Sequence, residues 1–125
     1  MLDARRRRIR RLTYAPAAMA TFYDAIPADW IGPGETTAVS VDEFPVAIAN
    51  VGGDFYAFQG LCPHQGTTLG GRPLDEECFI TCPQHSSRYD VRTGQCVRAA
   101  EGDGFNQDLM MFPTRVVEDV VQVEL

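Results

Sequence analysis

Two short stretches concentrate the residues able to hold a metal: Cys62-Pro63-His64 and, after the seventeen residues 65–81, Cys82-Pro83-Gln84-His85. Each arm offers one thiolate and one imidazole. That distribution suits a two-iron cluster in which one iron takes both cysteines and the other both histidines, each arm reaching across the pair. Imidazole is neutral where thiolate is anionic, so this ligand set lowers the negative charge around the irons and makes an added electron easier to accept. Any one of the four would be unremarkable as a buried cysteine or a satisfied histidine. Their joint spacing is not, because the chain has only two histidines and each follows a Cys-Pro by one or two positions. A tetrahedral zinc site is the rival, although zinc spacings usually group Cys with Cys and His with His. The remaining cysteines, Cys78 and Cys96, read as buried or free thiols rather than ligands.

The elements that must position these arms are short. From Thr21 onward, turn residues separate β-like segments, and no long run of 3.6-residue periodicity calls for a substantial helix. The chain therefore reads as all-β. Strands are predicted at Thr36–Val41, Pro45–Asn50 and Phe55–Gln59, the last two joined as a hairpin through Gly52-Gly53-Asp54. A second hairpin is predicted from Thr114–Val117 and Val120–Val123 around Glu118-Asp119, its Val and Leu side chains supplying a sandwich or barrel core. Between them, about residues 60–94, lie both histidines, three of the four cysteines and Pro63, Pro73 and Pro83, so this stretch reads as loop-rich and metal-binding.

With 125 residues, 45% of them apolar, the chain suffices for one compact domain but not for a metal module plus a separate catalytic domain. No stretch approaches the roughly 18 apolar residues of a membrane span. Six of the eleven basic residues, Arg5, Arg6, Arg7, Arg8, Arg10 and Arg11, crowd the first eleven positions, and there is no lysine. From position 19 onward five arginines face sixteen acidic residues. That acidic body should repel nucleic acid and anionic membranes, and could steer toward a basic patch on a protein partner. Residues 1–18 read as a disordered basic extension or a misassigned start, with nucleic-acid or membrane tethering as the alternative. A secretory signal fits poorly, because Leu12–Ala20 is short, weakly apolar and interrupted by Pro16.

The two arms resemble the ligand loops of the Rieske family, and the resemblance runs from about Met19 to the C-terminus. It implies a small antiparallel β-sandwich with a cluster-binding subdomain inserted at about 60–95, one 2Fe-2S cluster on Cys62, His64, Cys82 and His85, and both histidines at an exposed tip. Respiratory-complex members carry an extra cysteine in each loop, and these form a disulfide; the matching positions here are Thr67 and Gln84, so that clamp is ruled out. The chain is therefore more similar to the ferredoxins that serve bacterial oxygenases. Ala57-Phe58-Gln59-Gly60-Leu61-Cys62-Pro63-His64-Gln65 and Phe79-Ile80-Thr81-Cys82 resemble ferredoxins of toluene and alkene diiron monooxygenases, whereas Tyr89-Asp90-Val91-Arg92-Thr93-Gly94 resembles those of aromatic-ring dioxygenases.

Ser87 and Tyr89 occupy positions where high-potential relatives place hydroxyls that donate to a bridging sulfide and a cysteine sulfur; the alternative makes Ser86-Ser87 a turn and Tyr89 core. The loop Ala99-Ala100-Glu101-Gly102-Asp103-Gly104 lacks the proline with which relatives cover the cluster. By the resemblance the chain would be a monomeric, cytoplasmic electron carrier between a flavin-containing NAD(P)H reductase and a terminal oxygenase. Leu61, Pro63, Gln65, Pro83 and Gln84 would form the transient contact surface. Free thiols beside an iron-sulfur cluster belong in a reducing compartment. A small subunit of a nitrite reductase is the alternative. An oxygenase subunit would need a second iron site, and no histidine is left to build one.

Overall fold

A computed structural model describes residues 21–125, which form ten strands, β1 to β10, in three antiparallel sheets. The expected boundary after residue 18 lies outside the described residues. Strands β1 (Phe22–Pro27), β10 (Val120–Glu124) and β9 (Thr114–Val117) make one sheet in that order, and a 3-10 turn at Ala28–Trp30 leaves the first of them. The second sheet runs β2 (Thr36–Val41), β3 (Phe44–Val51), β4 (Asp54–Gln59) and β8 (Met111–Phe112). The third comprises β5 (Phe79–Thr81) and β6 (Arg88–Asp90), both inside the stretch expected to be loop-rich, and β7 (Cys96–Arg98) just beyond it. Among the described residues no helix is long and apolar enough to cross a membrane.

All three hairpins of the first two sheets close through two residues in the left-handed region, the geometry whose twist matches that of the flanking strands. Gly52 and Gly53 reach φ 60° and 100° without steric cost, as expected, and Asp54 already belongs to β4. The other two turns use ordinary residues: Asp42 and Glu43 at 50° and 67°, Glu118 and Asp119 at 51° and 65°. The buried Asn50 side chain braces the glycine turn, donating from Nδ2 to the Ile31 carbonyl at 2.7 Å and accepting from the Gly53 N–H at 2.8 Å.

Strand β3 is buried on both faces, and its period of two sends alternate residues into different cores. Val46 and Ile48 pack with Ile31, Val41, Ala57, Val121 and Val123 between the first two sheets. Ala47 and Ala49 face the opposite way and, with Phe58 and Leu109, meet Cys62, Leu69, Ile80, Cys82, Tyr89 and Val91. The second core thus joins the base directly to the two arms.

Glycine sets the closeness of that junction. Gly60, where β4 hands over to the first arm, has its α-carbon so near β3 that a β-carbon would stand 2.9 Å from the Pro45 carbonyl carbon. At the far end of the arm, a β-carbon on Gly70 would stand 2.6 Å from the Ala38 α-carbon. Only a residue without a side chain permits either approach. The Thr36 hydroxyl holds the same corner by accepting from the Gly71 N–H at 2.9 Å.

Candidate metal centre

The two arms close with the same hydrogen-bond pattern. In the first, the Cys62 N–H donates to the Thr67 carbonyl at 2.7 Å and the Gly66 N–H to the Cys62 carbonyl at 2.8 Å. In the second, the Cys82 N–H donates to the Ser87 carbonyl at 2.8 Å and the Ser86 N–H to the Cys82 carbonyl at 3.0 Å. The fourth residue after each cysteine takes a positive φ, 75° at Gly66 and 62° at Ser86. Each loop thereby turns its cysteine inward and leaves its apex outward. Cys62 is 2% exposed and Cys82 fully buried, while Leu61, Gln65, Pro83 and Gln84 are exposed and Pro63 is half-buried.

The four sequence-predicted ligands converge. His64 and His85 stand with ring centroids 4.9 Å apart, and the two thiols are close enough to perturb each other. Burial alone would raise the Cys62 thiol, but the Tyr89 hydroxyl, the His64 and Gln65 N–H groups and the Cys82 thiol outweigh it and bring the pKa below the ordinary value. Burial raises that of Cys82, although the N–H groups of Gln84 and His85 face its sulfur. These four amide donors suit sulfurs that carry negative charge. The Nδ1 of His85 is buried without a hydrogen-bond partner, and His64 Nε2 is engaged by Asp103, which leaves Nδ1 as the available nitrogen of that ring. A bare imidazole nitrogen facing inward beside two thiols is a donor set built for metal rather than for packing. Among the described residues no three His, Cys, Asp or Glu side chains meet as a single-ion site requires. One thiol and one imidazole from each arm make up the donor set of a mixed-ligand two-iron cluster.

Ser87 and Tyr89 are both fully buried beside this set. The Tyr89 hydroxyl lies 3.5 Å from Cys62 Sγ and 3.1 Å from the Ser87 hydroxyl, and the Ser87 oxygen is 4.0 Å from the same sulfur. Burial holds the Tyr89 phenol well above its usual pKa, so the group stays protonated. An iron-bound thiolate can only accept, so hydrogen bonds to it come from these hydroxyls. Tyr89 is thus core and sulfur neighbour at once. Such donors favour the reduced, more negative state, and Tyr89→Phe is expected to lower the reduction potential by on the order of 40 mV, about 1 kcal/mol of differential stabilisation. Ser87→Ala should shift it in the same direction. Voltammetry of the two variants checks both; unchanged potentials would count against the role.

Two residues at the site had not been singled out from sequence. Asp103 Oδ2 accepts from His64 Nε2 at 2.7 Å, and the Phe105 ring stacks on His64 with centroids 4.8 Å apart and planes 22° from parallel. The proline-free loop therefore does reach the centre; an acid and an aromatic alternating with Gly102 and Gly104 were the available signal. Cys78 and Cys96 are free and half-buried, outside the ligand group.

The Rieske [2Fe-2S] domain model matches residues 21–109. The ferredoxin component of the alkene monooxygenase system of Xanthobacter autotrophicus (strain ATCC BAA-1158 / Py2) is 30% identical over 95 residues, 76% of this chain and 74% of that protein. Among solved structures, the ferredoxin of carbazole 1,9a-dioxygenase from Nocardioides aromaticivorans IC177 aligns with a TM-score of 0.70 at 29% identity, covering 82% of this chain and 96% of that one. A ferredoxin solved in a complex of reduced oxygenase and oxidised ferredoxin of carbazole 1,9a-dioxygenase aligns at 0.68 and 30% identity, over 82% of this chain and 91% of the other. With the family model spanning most of its length and both arms in place, this chain belongs to the Rieske [2Fe-2S] domain family.

Proposed function

We propose that the protein is a single-electron carrier that takes electrons from a flavin-containing NAD(P)H reductase and delivers them to the terminal oxygenase of a multicomponent aromatic or alkene oxygenase. Cys62 and Cys82 would hold one iron and His64 and His85 the other, within residues 60–95. The bound cluster supplies one reversible electron. The chain's own residues do the rest: the buried cysteines keep water from the sulfurs, Ser87 and Tyr89 donate toward them, and the exposed loop apices meet the partner around the histidines, of which His64 is itself covered, its side chain 8% exposed.

The observation that carries this reading is the pairing of the two imidazoles at one edge of the fold, ringed by exposed Leu61, Gln65, Pro83 and Gln84. A contact confined to a few exposed loop residues suits a weak, transient encounter in which a carrier must also leave. The acidic body supports steering onto a basic partner surface. The relatives named ferredoxin components of oxygenase systems, and the ferredoxin caught with its oxygenase, support the same role. A carrier of this kind works as a cytoplasmic monomer and performs no substrate chemistry. No comparable observation favours the nitrite reductase subunit.

The test is direct. The purified protein should be red-brown, bleach with dithionite and give a rhombic EPR signal of low average g when reduced. With a flavin reductase and NADH it should then support turnover by an oxygenase of one of the two classes. A colourless protein holding stoichiometric zinc would overturn the reading.

A further inference from the structure

The two proposed histidine ligands are treated differently by the rest of the fold. His64 is clamped: Asp103 accepts from its Nε2, and Phe105 covers one face of its ring. His85 Nε2 has no side-chain or backbone partner among the described residues. The clamp is rigidly built. The Ala100 N–H donates to the Phe105 carbonyl at 2.9 Å, the Gly104 N–H to the Ala100 carbonyl at 3.0 Å and the Phe105 N–H to Asp103 Oδ1 at 3.0 Å. Ala100 is only 3% exposed, and the Glu101 N–H donates to the His85 carbonyl at 2.7 Å, so the loop is anchored on the second arm while its tip grips the first.

From this asymmetry we propose that Asp103 is a positioning residue that sets the reduction potential of the cluster, acting through His64. The inference rests on the carrier reading and extends it. A carboxylate on the outer nitrogen of a ligating imidazole fixes the tautomer, leaves Nδ1 for the metal and makes the ring a more electron-rich ligand. It also places a negative charge one ring away from the iron. Both effects favour the oxidised cluster and lower the potential. Asp103 therefore opposes Ser87 and Tyr89, which favour the reduced cluster from the other side. The potential is set by a balance between a carboxylate on the histidine iron and hydroxyls on the cysteine iron.

The test is the potential of loaded D103N, measured by voltammetry in low salt and again in 1 M salt. An exposed charge acting only through solvent is screened at 1 M, where the Debye length is about 3 Å, whereas a direct hydrogen bond to the ligand is not. E101Q is the control, because Glu101 is an exposed acid of the same loop whose side chain has no hydrogen bond to either histidine. D103N should raise the potential in both salts, by up to about tenfold in the reduction equilibrium, which is 59 mV for one electron. E101Q should give a smaller rise that disappears in 1 M salt. Equal shifts in the two variants, or a D103N shift lost in salt, overturn the proposal. Should D103N purify without its cluster, D103E must restore both loading and a potential below that of D103N reconstituted in vitro; failure to do so also overturns it. A colourless wild-type chain would defeat the carrier reading itself, whereas a coloured wild type with an unmoved D103N defeats the Asp103 role alone.

Discussion

Replacing His85 with cysteine is expected to lower the reduction potential by on the order of 100 mV while the protein keeps a cluster. The charge argument fixes the sign: a neutral imidazole becomes an anionic thiolate on the same iron, and the electron enters a more negative centre. The magnitude follows from the families themselves. All-cysteine plant-type clusters lie near about −400 mV and mixed-ligand Rieske clusters at about −150 mV or above, so two exchanges span roughly 250 mV or more and one about half of that. The effect exceeds that expected for Ser87, Tyr89 or Asp103, because those residues polarise a ligand whereas this change replaces one. Voltammetry and the reduced-state EPR spectrum check it together, since the average g should move toward that of an all-cysteine cluster. An unchanged potential in a loaded variant would remove His85 from the ligand set.

Leu69→Ala should be the most damaging change outside the ligands. Leu69 is fully buried and shares a core with Cys62, Ile80, Cys82 and Tyr89, while its N–H donates to the Gly60 carbonyl at 2.8 Å and closes the first arm. Truncating a buried leucine costs about 2–5 kcal/mol, the spread reflecting how far the surroundings collapse. At roughly 4 °C per kcal/mol for a domain of this size, the melting temperature should fall by about 8–20 °C. The cavity opens beside the cysteines, so cluster bleaching in air should accelerate as well. Val123→Ala is the matching control: it is fully buried in the other core, and it should lower the melting temperature without changing the bleaching rate. Equal bleaching in both variants would show that loss of stability, not packing at the sulfurs, governs cluster lifetime.

How far the sequence disclosed this molecule depended on the range of the interactions. The convergence of the two arms was legible because two Cys-Pro pairs, each followed closely by one of the chain's two histidines, stand out in the sequence, and the structure brings the two imidazoles and the two thiols together. Strand β2 was predicted to its ends, and the hairpins at Gly52-Gly53 and Glu118-Asp119 lie where they were expected. The turn at Asp42-Glu43 went unmarked although the same two residue types were read as a turn at Glu118-Asp119; the pairing of Val41 with Phe44 places both residues at positive φ. The third sheet was missed for another reason. Its strands are three residues long, too short for an alternation pattern, and they exist through pairings such as Ile80 with Tyr89 across the second arm. The pairing of Asp103 with His64 was not legible, since the two lie 39 positions apart and only the completed fold brings them together; the Gly102-Asp103-Gly104-Phe105 alternation marked the loop but not its partner.

The double-walled strand β3 bears on how the centre is made. The core holding Val46, Ile48, Val121 and Val123 contains no residue between positions 60 and 95, so the base can close on its own apolar surface before iron and sulfide arrive. The other core is part protein and part ligand set, with Cys62 and Cys82 among its members. Losing the cluster is therefore expected to loosen the second core while the first stays packed, which hydrogen exchange on the loaded and the metal-free protein would show.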